Sequence, residues 1–503
     1  MSTVVTTKKG QLRGSAAGGV HRFLGIPYAA DTSGGNRFRP PQPLEPWNGV
    51  RDATQYGAAP FQLAPPESAG TEWDTGLGGE DCLNLNIWTP DPGRAGLPVM
   101  VWIQGGAFEI GSTAAYDGTN FARDGVVCVV INWRVGADGF LDLGDGNANA
   151  GLLDQVAALE WVRDNIAAFG GDPGNVTVFG QSAGAMSIGV LLSMPRAEGL
   201  FRRAILQSGA AHHAIPTAAA QKIGGFLAEK LGVPPTREAL SAVPTQRLLA
   251  AQTELKADLS ARPDPERWGR DAAASRMLWQ PTIDGDVVPG RPIERIAAGA
   301  GAAVDVIVGT NTEDWQLFLA ITGVLAQVTE QDLAESNSVK GFPPLSAYGI
   351  PADLALREYR SHYPASSPGQ LLGAVETDWW VRIPALRLAE AHVAAALATG
   401  ARTYMYEFGW RAPGLGAVHA VEVPFVFDTL DKDSRLFGPL LGADPPHVLA
   451  DAMHAAWVSF AATGDPGWPG YDLERRTTML FNTDSRVVYD PRAWERELWE
   501  GIR

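Results

Sequence analysis

The stretch Val176 to Ala185, VTVFGQSAGA, decides how the chain is read. Val176 to Phe179 are β-prone, Gly180-Gln181-Ser182-Ala183-Gly184 follows, and the residues after Ala185 suit a helix. Strand, sharp turn and helix is the arrangement that holds a central serine in a strained backbone conformation. Glycines two residues to either side let strand and helix pass closely, so the hydroxyl projects at the top of a sheet. Ser182 therefore reads as a nucleophile. Such a hydroxyl attacks poorly unless a base takes its proton, a carboxylate orients that base, and N–H donors await the oxyanion.

Outward from that turn, the pattern is that of a sheet protein with helices between its strands. Leu83 to Trp88, Val99 to Ile103 and Val126 to Asn132 read as strands, the last two almost wholly apolar, as strands buried on both faces are. Further strands are expected at Ala204 to Gln207, Val304 to Gly309 and Thr403 to Phe408. Asp154 to Ile166 carries apolar residues at helical spacing, with Asp154 suited to the cap, and Gly170-Gly171-Asp172-Pro173 ends it. Strands alternating with helices imply a mostly parallel sheet. Thr3 to Thr7 and Arg22 to Ile26 suggest a small antiparallel element at the entrance, and residues 31 to 80, rich in Gly, Pro and charge, suggest a surface wrap around the mouth of a pocket. Helical stretches at Ala218 to Leu255 and Pro351 to Ala398 read as insertions over one end of the sheet. The expected organisation is a single domain, 1–503, with cap insertions at roughly 214–280 and 315–400.

Composition narrows the partners. The 503 residues are 45% hydrophobic and carry a net charge of −16 without a Lys/Arg cluster, which argues against nucleic acid or an anionic membrane. Cys82 and Cys128 are the only cysteines, too few for a disulfide framework or a cysteine metal site. No apolar run reaches the length of a membrane span and the N-terminus lacks a secretory apolar core, so a cytoplasmic protein is the default expectation. Gly299-Ala300-Gly301 begins like a dinucleotide loop but follows helical sequence rather than a strand, and is set aside. No metal or organic cofactor is expected. Whether the chain is a monomer or a homodimer stays open.

Ligands of open α/β sheets bind beyond the carboxyl ends of the strands. Asp314, with Glu313 beside it, follows one expected strand, and His419 follows another in the loop GLGAVHAVE. The order Ser182, Asp314, His419 is that of the α/β-hydrolases. After Ile103 comes Gln104-Gly105-Gly106-Ala107-Phe108, a small-residue loop whose N–H groups can point into a cavity, and Ala183 adds a further donor.

Taken together, the chain resembles the type-B carboxylesterases, the family that includes the cholinesterases and many bacterial esterases. The resemblance runs through FLGIPYA (23–29), RFRPP (37–41), EDCLNLNIWTP (80–90), WIQGGAF (102–108), NWRVGADGFL (132–141) and the long run from 151 to 185. It continues through ILQSG (205–209), GTNTED (309–314), HAVEVPFVF (419–427) and WVSFAATGDP (457–466). It implies an α/β-hydrolase fold and a serine carboxylic-ester hydrolase acting on small to medium esters. Ser182 would be nucleophile, His419 general base, and Gly106, Ala107 and Ala183 oxyanion-hole donors. Ser208 would hydrogen-bond near the triad, and Arg37 and Glu80 would form a structural ion pair. The family's acid is usually Glu, and the matching position here is Asp314, with Glu313 the alternative. Gln104 stands where the family often has His or Tyr, and Gln181 where Glu is commoner. The family's cysteine partner for Cys82 is absent, which leaves that thiol unpaired. The same residues would serve an amide, carbamate or lactone, and some members of this fold family are binding modules instead. His212 and His213 follow the QSG strand end and read as loop polar groups that could approach the pocket. Phe108, Trp315, Trp379 and Trp380 read equally as pocket lining or core.

Overall fold

The apolar runs around Val101, Val129 and Val178 have no polar face to offer water, and all three lie at the centre of one large sheet with both faces covered. The computed structural model describes residues 2–62, 78–335, 342, 345–431 and 437–503. Its strands are β1 Ser2–Thr6, β2 Gln11–Ala17, β3 Val20–Pro27, β4 Val50–Asp52, β5 Asn84–Thr89, β6 Leu97–Ile103, β7 Val127–Ile131 and β8 Gly171–Gln181. They continue with β9 Arg203–Gln207, β10 Ile215–Pro216, β11 Thr282–Ile283, β12 Asp305–Asn311, β13 Thr403–Phe408, β14 Thr477–Phe481 and β15 Arg486–Tyr489. The large sheet runs β1-β2-β3-β5-β7-β6-β8-β9-β12-β13-β14-β15, with β4 on β2, while β10 and β11 form a separate pair. From β7 to β14 every neighbouring pair is parallel. The N-terminal β1–β3 and β5 are antiparallel, as the opening residues suggest.

Helices interrupt the strands at two long stretches. Thr217–Leu231 and Thr245–Ala261 leave from β10 and return at β11, and Ala352–His362, Pro368–Thr377 and Ile383–Ala396 fall between β12 and β13. Residues 63–77 of the expected surface wrap, and 336–341, 343 and 344 of the second insertion, lie outside the described residues. Among the described residues no helix is long and apolar enough to cross a membrane. Cys82 and Cys128 are buried and unpaired, and burial pushes both thiols upward, Cys82 to about 12.

Six strands, β2, β4, β10, β11, β14 and β15, are not apparent in the sequence pattern, and β4, β10 and β11 are only two or three residues long. β2, QLRGSAA, has a single large apolar side chain, and β14 and β15 are short and terminate the sheet.

Two expectations are corrected. Asp154 does not cap its helix: the helix is Ala150–Asn165, and Asn149, with φ 62°, takes the N-cap position. Asp154 lies a turn inside, fully buried, and receives Arg134 Nε at 2.8 Å, Nη2 at 2.7 Å and the Arg134 backbone N–H at 3.1 Å. A buried guanidinium needs a buried counter-charge more than a helix end needs a side-chain cap. Arg37, likewise buried, pairs with Asp138 at 2.9 Å and donates to the Val243 carbonyl. Glu80 is exposed and contributes its backbone carbonyl to Thr32 instead.

Because removing one partner strands the other charge in the interior, Asp154→Ala should cost about 3–5 kcal/mol of stability. Arg134→Lys, which keeps the charge but not the fork, should cost less. Urea unfolding followed by tryptophan fluorescence measures both.

Candidate active site

Ser182 joins the end of β8 to the helix Ala183–Leu191 with φ 57° and ψ −127°, a region that side-chain-bearing residues avoid. The turn is held from both ends, since Ser182 N–H donates to the Gln207 carbonyl at 2.9 Å and its carbonyl accepts from Met186 N–H at 2.8 Å. A Cβ on Gly184 would fall 1.9 Å from the Ile103 carbonyl oxygen, so only glycine lets the helix cross β6 this closely.

β6 ends at that same Ile103, and the loop beyond it touches the serine: a Cβ on Gly105 would lie 2.9 Å from Ser182 Cβ. Gly106 has φ 126°, and Ala107 and Phe108 also take positive φ. The chain folds back here so that Glu109 and Ile110 N–H both reach the Gly106 carbonyl. The backbone N–H groups of Gly106, Ala107 and Ala183 donate to none of the described residues. For Ala183 this follows from its place in the first helical turn, where N–H groups have no intrahelical partner and carry the positive end of the dipole.

The acid and the imidazole come from β12 and β13, which lie beyond β9 in the sheet. Asp314 follows β12 by three residues and His419 lies in the loop after β13. Asp314 Oδ1 is 2.5 Å from His419 Nδ1, and His419 N–H donates to the Asp314 carbonyl at 3.0 Å. Asp314 Oδ2 accepts from the Ser208 hydroxyl at 2.6 Å and from Asn311 N–H at 2.9 Å. Glu313 turns the other way, pairing with Arg411 and accepting from Ala417 N–H. Of the two neighbouring acids, Asp314 is the one that meets the imidazole. A proton on Nδ1 shared with that carboxylate leaves Nε2 as an acceptor. Among the described residues, the partner of Nε2 is the Gln181 amide nitrogen at 3.0 Å, and the Ser182 hydroxyl makes no hydrogen bond. In unliganded hydrolases the nucleophile–base contact commonly tightens only when substrate arrives.

Beneath the pair lies a polar network that the sequence reading misses. Glu422, fully buried, accepts from Asn311 Nδ2 at 2.6 Å and Gln207 Nε2 at 3.1 Å, and Gln207 in turn accepts from Trp457 Nε1. Burial, and then the charge of Asp314, hold the Glu422 carboxyl above the usual range. The available signal was an acid three residues after His419 in an otherwise apolar run, VEVPFVF.

The four candidate pocket aromatics divide. Trp315 lies 6.1 Å from the His419 ring and stacks on Trp380 at 4.2 Å, whose π-helical turn is anchored by Arg382 ion pairs to Asp378 and Glu495. Phe108 packs on Phe140 and Trp133 with no exposed surface, and Trp379 sits one ring behind Trp380. Phe318, not singled out from sequence, is 5.1 Å from His419, one helical turn past Asp314. His213 is buried against Trp380 and burial drives its imidazole well below the ordinary range, as it does for His212. Gln104 is buried, with Nε2 3.4 Å from Asn132 Oδ1. Among the described residues no group of three or more His, Cys, Asp or Glu side chains is placed to hold a metal ion.

The sequence description of the carboxylesterase family matches residues 1–496. The chain belongs to the carboxylesterase family. It is 36% identical to a para-nitrobenzyl esterase of Bacillus subtilis, with 98% of each chain covered, and 35% identical to a phenmedipham hydrolase of Pseudarthrobacter oxydans, with 96% of each covered. Among solved structures it is similar to a Geobacillus stearothermophilus carboxylesterase, with a TM-score of 0.83 and 38% identity over 99% of this chain and all of that one. The architecture is thus the α/β-hydrolase fold of these carboxylesterases, and the chain is a serine carboxylic-ester hydrolase.

A hydrogen bond to a charged group contributes about 1.5–3 kcal/mol. Ser208→Ala, which takes one donor from Asp314, should therefore lower kcat/KM for a p-nitrophenyl ester by roughly tenfold or more, measurable by steady-state kinetics.

Proposed function

We propose that this carboxylesterase uses Ser182, His419 and Asp314 as its catalytic triad, with Gly106, Ala107 and Ala183 N–H groups as the oxyanion hole. The observation that carries the reading is the Asp314–His419 contact at 2.5 Å, with the imidazole one residue's reach from a serine in a strained turn. His419 Nε2 takes the Ser182 proton as Oγ attacks the ester carbonyl. The carbonyl oxygen, now negative, rests on the three N–H groups, and the tetrahedral intermediate collapses as His419 protonates the departing alcohol. Water, deprotonated by the same histidine, attacks the acyl-serine and the acid leaves. Asp314 fixes the Nδ1–H tautomer and stabilises the imidazolium, and Ser208 and Asn311 fix Asp314 in turn.

The substrates proposed are small to medium carboxylic esters with apolar substituents, a choice supported by Trp315 and Phe318 beside His419. The organisation proposed is one α/β-hydrolase domain, 1–503, with insertions near 214–280 and 315–400. Its support is that the first inserted helices leave and return through the β10–β11 pair. A cytoplasmic location is proposed from the two buried, unpaired thiols.

Hydrolysis of p-nitrophenyl esters from acetate to octanoate by purified wild type and variants tests the reading. Ser182→Ala should abolish turnover across the series. Asp314→Asn should lower kcat by about 10³–10⁴, while Glu313→Gln should stay within a few-fold of wild type. Loss with Glu313→Gln and not with Asp314→Asn would reverse the assignment of the acid.

A further inference from the structure

The residue before the nucleophile offers an inference that rests on the triad assignment above and goes beyond it. Gln181 is buried, and its amide nitrogen lies 3.0 Å from His419 Nε2, the atom that must receive the Ser182 proton. The other imidazole nitrogen is occupied by Asp314, so with the proton on Nδ1 the lone pair on Nε2 accepts from the Gln181 N–H. We propose that Gln181 is a positioning residue whose neutral amide holds His419 in its neutral, acceptor form, so that the base stays competent at pH values where a carboxylate at position 181 would have protonated it.

The charges around His419 show why neutrality at 181 matters. Asp314 faces Nδ1, and Glu422, buried three residues along the same loop, lies within electrostatic reach of the ring. Glu313, beside Asp314, pairs with Arg411 on the loop leading into His419, and that pair is internally balanced. On the aromatic side stand the uncharged Trp315 and Phe318, with Trp380 and the buried His213 behind Trp315. Tyr406, within electrostatic reach of Glu422 and Asp314, is held un-ionised by burial. Two acids thus already stand around the imidazole, and a carboxylate at position 181 would place a third against Nε2.

The sign follows directly. Protonated His419 cannot accept from Ser182, so any change that favours the imidazolium moves the acid limb of reactivity to higher pH. An opposite charge within about 4–6 Å favours the charged form by about 1–3 pH units. Losing a single neutral donor to the neutral form corresponds to about half a unit.

The test is the second-order rate of Ser182 labelling by a fluorophosphonate from about pH 5 to about pH 9, which reads nucleophile activation without substrate binding or deacylation. Wild type, Gln181→Glu and Gln181→Met are compared. The expected order of acid-limb midpoints is wild type lowest, Gln181→Met about half a unit higher, and Gln181→Glu about one unit or more higher. Coincident midpoints in wild type and Gln181→Glu, or a downward shift, overturn the proposal. Should the Glu variant fail to fold, Gln181→Met decides alone, and a limb superimposed on wild type overturns it. A wild-type protein that is not labelled at Ser182 overturns the triad assignment itself, whereas normal labelling with unmoved limbs overturns only the role of Gln181.

Discussion

The crossing of the helix Ala183–Leu191 over the end of β6 is the constraint on which the site depends. There is no space for a side chain at Gly184 against the Ile103 carbonyl. That contact fixes how far Ser182 is lifted from the sheet and also where the Gly105–Phe108 loop must begin, since the loop starts at the next residue but one after Ile103. The proposed nucleophile and the proposed N–H donors are therefore positioned by one backbone approach rather than by two independent ones. The strain at Ser182 is sustained by hydrogen bonds on both of its backbone groups.

The acid–imidazole pair is held differently, by polar satisfaction in the interior. Each oxygen of Asp314 is engaged, and the layer below it, Asn311, Glu422, Gln207 and Trp457, engages the next set of groups in turn. In a region of low dielectric such a network is stabilising to the extent that its members are partnered, and among the described residues Asn311 Oδ1 is a buried atom of this layer that has no partner. Two acids, Asp314 and Glu422, share this space, and their mutual repulsion helps raise the affinity of Glu422 for a proton. The neutral Gln181 on the far side of the imidazole keeps the count of negative groups around His419 from rising further.

Much of this was legible in the chain. The apolar strands, the turn around Ser182 and the positions of Asp314 and His419 after strands are local signals, and the fold gathers the residues those signals mark. Long-range partnership is another matter. Arg37 gives no hint that Asp138 rather than Glu80 will meet it, because that choice is made by which carboxylate the packed core leaves buried. Asp154 looks like a cap because capping is local, and it serves as a counter-ion because Arg134 arrives from a different segment. Glu422 and Phe318 escaped notice for the same reason: neither spacing nor residue type says which side chains will surround an imidazole from another loop.

Ser182, Asp314 and His419 follow β8, β12 and β13, three strands that are ordered only when β9 lies between the first two and all are in register. A slip of one residue in any of these ladders would turn the side chains it carries to the opposite face of the sheet. The proposed reaction centre thus exists only in chains whose middle has been completed, and it draws together residues separated by more than two hundred positions. Colour released from a chromogenic ester is for that reason a gauge of assembly: in a refolding mixture it counts molecules that have closed the sheet, and ignores those that have merely collapsed.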